Sequence, residues 1–160
     1  MRYFVLIILA LLETIILFGF IGSNFALSGI SIELAVITTW LISWLYNFRT
    51  GIFWAVTMGA LLDIIGFGFF GVNLIKLLLV VGIIFFLKGK YLSVSSLLHS
   101  FISILLSCVI AVLLDQIVIG NVNFYTLGFS SLYSSVVGFL IYYFLAVRFK
   151  FFQRWAGNRI

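Results

Sequence analysis

Six apolar runs, at roughly residues 3–22, 31–48, 51–66, 72–87, 97–119 and 128–147, follow one another with only short connections. Each comes close to the about 20 residues that a helix needs to cross about 30 Å of hydrocarbon. Only 8% of the residues are charged and the mean hydropathy is +1.36, too little charge to solvate the surface of a water-soluble domain. The runs are long and continuous, whereas the strands of a closed barrel alternate over short segments. The chain therefore reads as an all-α, polytopic membrane protein with six transmembrane helices, forming one transmembrane domain over residues 1–160. The first run is full length and leads straight into further spans, so it reads as a retained helix rather than a cleaved leader. Cys108, the single cysteine, lies inside the fifth run and can form no internal disulfide.

The positions of the cations give an orientation. With the N-terminus in the cytoplasm, six spans place Arg2, Arg49, Lys88, Lys90, Arg148, Lys150, Arg154 and Arg159 on one side. The connections on the other side, near 22–31, 66–71 and 120–127, contain no Lys or Arg. Basic residues in short loops set orientation, so both termini are expected in the cytoplasm. Trp44, Tyr46, Trp54, Tyr91 and Trp155 fall near the expected inner interface, and Tyr125 and Tyr133 near the outer one. The basic, aromatic tail over 148–160 can fix this topology or lie on an anionic leaflet. The pI near 9.6 thus describes orientation in a bilayer and does not point to nucleic acid.

A charge inside a span costs about 2.5 to 3.5 kcal/mol on insertion scales, so the exceptions stand out. They are Glu13, Glu33, Asp63, Lys76 and Asp115. Glu33 is expected at the outer mouth of the second span, in reach of water, and Glu13 is expected to be buried against other helices. Asp63 closes the third span, where the helix dipole is unfavourable to a carboxylate, so it needs a partner. A turn at Gly66 and Gly68 would bring Lys76 to the same depth on the next helix, and an Asp63–Lys76 ion pair is expected.

Small residues recur at four-residue spacing on two spans. Gly51, Ala55 and Gly59 lead to Asp63, and Ser103, Ser107 and Ala111 lead to Asp115. Such faces let helix backbones approach closely, which gives these residues a structural role as the default. "LLETI" at 11–15, "LLDII" at 61–65 and "LLDQI" at 113–117 form a faint internal repeat, of the kind three helical hairpins would produce.

The sequence presents no catalytic set. His99, the single histidine, has no acid expected beside it, so no nucleophile, base and orienting group come together. One His with one Cys does not make a zinc site, and no phosphate-binding glycine loop is present. Proline is absent, which weakens a transport reading that needs broken helices.

The stretch "RTGIFWAVTMGALLDIIGFGFFGVNLIKLLL", residues 49–79, resembles the bacterial rod shape-determining protein MreD family. In that family a basic residue and a glycine open a helix carrying a G-x-L-x-D-like segment, followed by a glycine-containing turn and an apolar helix. Arg49, Gly51, Gly59, Leu61, Asp63 and Gly71 occupy those positions. The chain departs from the family at Gly66 and Gly68, where a proline or polar turn residue often appears. The resemblance implies a non-enzymatic, multi-pass scaffold subunit of the cell-elongation machinery in the bacterial inner membrane, without a cofactor. Its implied partner is the bitopic protein MreC, and through it the RodA glycosyltransferase, a class B transpeptidase and the MreB filament. The alternative is the substrate-binding membrane component of an energy-coupling-factor vitamin transporter, which is similar in size and helix number. For that reading the outer loop "GNVNFYTLG", with Asn121, Asn123 and Tyr125, would have to hold the ligand.

Overall fold

A computed structural model describes residues 2–17, 33–65, 71–90 and 97–148. The expected connection at 22–31, Gly66 and Gly68, Tyr91, and the tail from 149 onward with Trp155 lie outside the described residues. The described residues form six α-helices: α1 (Arg2–Ile16), α2 (Leu34–Leu45), α3 (Phe48–Ile65), α4 (Val72–Lys90), α5 (Leu97–Ile119) and α6 (Phe124–Tyr142). The sixth continues into a wider π turn, Tyr143–Arg148. Three helical stretches, Phe48–Ile65, Leu97–Ile119 and Phe124–Leu145, are long and apolar enough to cross a membrane.

Several helix bounds shift from the expected ones. α5 coincides with the fifth run, but α3 begins at Phe48 rather than 51, with the Asn47 carbonyl accepting from Thr50 N and Gly51 N in its first turn. α6 begins at Phe124 rather than 128, because the Asn123 side chain accepts from Tyr125 N at 3.0 Å. A short Asn side chain satisfies an otherwise orphaned first-turn donor, which fixes where the helix starts.

Short α2 is the central element and packs against α3, α4, α5 and α6. Val36, Ile37, Trp40 and Trp44 on it are fully buried. Trp40 and Trp44 stack at 5.4 Å, and Tyr142 of α6 meets Trp40 edge-on at 5.5 Å. Trp44 and Trp54, expected near the inner interface, have their side chains buried among the helices. α1 packs mainly on α3, and much of its surface, including Phe4, Leu12 and Ile15, is exposed.

The distribution of polarity differs from that of a water-soluble bundle. Ser100, Ser103, Ser107, Ser130, Ser131, Ser134 and Ser135 are buried, whereas Ile64, Leu98, Ile119 and Phe124 face outward. Small polar residues at helix contacts and large apolar residues outside are what a bilayer favours, since lipid supplies no hydrophobic force between helices. The molecule has the character of a membrane protein.

Candidate functional site

Four of the five charged residues of the apolar runs, Glu33, Asp63, Lys76 and Asp115, gather at one end of the bundle, where α3 and α5 finish and α2, α4 and α6 begin. Lys76, on the second turn of α4, has 6% of its side chain exposed. Its Nζ lies 2.8 Å from Asp115 Oδ2, 3.0 Å from Asp115 Oδ1 and 3.3 Å from Glu33 Oε2. An ammonium has three donors, and three carboxylate oxygens surround this one. Glu33 precedes α2, and its backbone N donates to Ser134 Oγ of α6 at 3.1 Å. The Glu33 side chain makes no cap to its own helix; it reaches across to Lys76 instead. One cluster therefore ties α2, α4, α5 and α6 together.

The expected Asp63–Lys76 pair is not what forms. Asp63 is buried, and Oδ2 accepts from Gly71 N at 3.0 Å and Leu74 N at 3.2 Å. Oδ1 accepts from Asn73 N and Asn73 Nδ2, both at 3.0 Å. The carboxylate at the end of α3 thus caps the start of α4. First-turn N–H groups have no partner within their own helix, and the positive end of the α4 dipole offsets the unfavourable end of α3. The partner that Asp63 requires is thus a helix terminus and not a cation.

Gly71 makes this geometry possible. Its φ of +95° lies in the region that L side chains rarely adopt, and from there its N–H points to Asp63. Upstream on the same α3 face, a Cβ added to Gly59 would stand 2.5 Å from Leu74 Cα, so the α3 and α4 backbones touch there. A Cβ on Gly51 would meet Ser43 Oγ of α2 at 2.6 Å, and Ala55 between them is fully buried. The four-residue spacing therefore carries the contact of α3 with α4 and α2. On α5, Ser103 accepts from Trp40 Nε1 at 3.0 Å, and Ser107 and Ala111 are buried above it.

Glu13 stands apart from the cluster. It is half-buried on α1 and its Oε1 accepts from Thr38 Oγ1 of α2 at 2.8 Å, so it faces another helix as expected. Arg49 is exposed at the start of α3 and joins none of the other site residues.

Sequence reasoning treated Glu33 as a solvated interfacial residue; it is a direct partner of Lys76, with 16% of its side chain exposed. A depth count could have found the pairing with Asp115. Lys76 is four residues past the start of α4, and Asp115 four residues before the end of α5, the level at which antiparallel helices meet. Gln116 was also missed. Its Nε2 donates to Asn123 O at 3.1 Å and Thr126 Oγ1 at 2.7 Å, and its Oε1 accepts from Asn123 N at 3.2 Å. These bonds close the α5–α6 turn and engage the Asn123 once considered for ligand binding.

Chemically, the cluster is an internal salt bridge network beside a helix cap. His99, at the opposite end of α5 from Asp115, is about 24 Å away along the helix axis at 1.5 Å per residue. Among the described residues no group of three His, Cys, Asp or Glu is placed to hold a metal ion. Compared with known protein families, with curated proteins and with solved structures, the chain matches none.

Proposed function

We propose that the chain is a non-enzymatic scaffold subunit of MreD type, a six-span protein of the bacterial inner membrane with both termini in the cytoplasm. Its direct partner is the bitopic protein MreC, and it reaches RodA, the class B transpeptidase and MreB through that contact. One observation carries the reading: Lys76, Glu33, Asp115 and Asp63 all find their partners inside the chain, and each contact joins two helices. Charges used this way hold a bundle in one shape, which supports a structural role for these four residues. A scaffold needs a fixed outer surface, and this network provides rigidity at one end. The segregated cations support the orientation.

The test is affinity purification of the tagged chain from its own membranes in mild detergent, followed by mass spectrometry. Co-purification of MreC is the expected result. A bound vitamin with an ATPase pair, or failure of the chain to sediment with membranes, would overturn the proposal.

A further inference from the structure

At the end of the bundle opposite Lys76, a cavity of about 370 Å³ opens between the α2–α3 turn and the last turns of α4. Tyr46, Asn47, Phe48, Ile84, Phe85 and Lys88 are among the residues that line it. The Phe48 and Phe85 rings meet at 4.5 Å and give one apolar wall. Lys88 Nζ donates to the Trp44 carbonyl at 2.9 Å, which engages one of its three donors.

Lys88 is half-buried and, among the described residues, has no counter-charge. The chain has four Asp and Glu residues in all. Glu33 and Asp115 are taken by Lys76, Asp63 by the start of α4, and Glu13 by Thr38. Among the described residues no carboxylate lies within ion-pair distance of Lys88. The start of α3, at Asn47 and Phe48, adds the positive end of a helix dipole beside the same cavity. A half-buried cation, a helix N-terminus and an aromatic wall are thus combined in one cavity. A partner for it needs an anionic head and an apolar body.

We propose that this cavity seats an anionic phospholipid, with Lys88 against the headgroup phosphate and Phe48 and Phe85 against the adjoining acyl chain. Basic pockets between membrane helices take anionic headgroups in this manner. The inference rests on the chain being embedded in a bilayer and is independent of which protein it binds.

Native mass spectrometry of the full chain in neutral detergent tests it, with dioleoyl phosphatidylglycerol, dioleoyl phosphatidylcholine and inorganic phosphate as probes. Phosphatidylglycerol should be retained in preference to phosphatidylcholine, and inorganic phosphate at equal concentration should not displace it. Lys88→Gln should weaken phosphatidylglycerol retention roughly fivefold and Lys88→Arg should restore it, while Arg49→Gln, outside the cavity, should change nothing. Phe85 is 56% exposed, so Phe85→Ala leaves the core intact and carries the test should Lys88→Gln not fold. It should weaken retention of both lipids. Equal retention of the two lipids by the wild type, undiminished retention in folded Lys88→Gln or Phe85→Ala, or displacement by inorganic phosphate would overturn the proposal. A chain that sediments with membranes yet shows any of these fails here alone; one that does not sediment fails the membrane reading itself.

Discussion

Lys76 Nζ on α4 is held 2.8 Å from Asp115 Oδ2 on α5, so the pair joins two helices around a largely buried ammonium. With 6% of the lysine side chain exposed, removing the ammonium would leave Asp115 and Glu33 facing each other without compensation. Breaking a buried pair from one side costs about 3 to 5 kcal/mol, and Asp115 at 29% exposure argues for the lower end. Lys76→Met is therefore expected to destabilise the bundle by about 3 kcal/mol, read as a lower midpoint in a denaturing-detergent titration.

Asp63→Ala would orphan the N–H groups of Gly71, Asn73 and Leu74 at once. Losing a helix cap costs about 1 kcal/mol, and the buried donors left behind add about 1 to 3 kcal/mol. Asp63→Asn keeps one acceptor oxygen and should fall between wild type and Asp63→Ala. Yield of monodisperse protein on size exclusion, measured for the three chains in parallel, checks this order.

The two glycines near this cap should fail for different reasons. Gly59→Val forces a side chain against the Leu74 backbone, which cannot rotate away, and overpacking of this kind typically costs about 1 to 3 kcal/mol. Gly71→Ala meets nothing within 4 Å but must adopt φ +95°, for a penalty of about 1 to 2 kcal/mol. Cysteine cross-linking between α3 and α4 should therefore be perturbed by Gly59→Val and preserved in the folded fraction of Gly71→Ala.

Glu13 should tolerate loss of its charge. Glu13→Gln retains an oxygen to accept from Thr38 and removes a carboxylate from an apolar setting, so its unfolding midpoint should equal or exceed that of wild type. Glu13→Leu, which deletes the acceptor, should cost about 1 kcal/mol because Thr38 loses its interhelical partner.

Much of this was legible in the sequence because the bilayer constraint is severe. Long apolar runs had to be helices, and Gly51, Ala55 and Gly59 announced a close contact through their spacing alone. Glu13 lay too far inside a run to be solvated. What failed to show was which acid Lys76 meets. Three acids lie near the same level, and Asp63 is nearest in sequence, but α4 also packs on α2 and α5, and these bring Glu33 and Asp115. The capping role of Asp63 was hidden because the choice of a cation as its partner left out the bare N–H groups of the following helix. Trp44 on α2 and Trp54 on α3 looked like interfacial anchors by position, yet both side chains are enclosed by neighbouring helices.

The central claim is that the charges inside the bundle serve to join its helices, and a double-mutant cycle on Lys76 and Asp115 tests it most directly. Unfolding midpoints are to be measured for wild type, Lys76→Met, Asp115→Leu and the double variant in one detergent. A structural pair predicts that the double variant is markedly more stable than the sum of the single losses allows, with a coupling of about 2 kcal/mol. Additive losses with a coupling near zero, in proteins that remain folded, would contradict it.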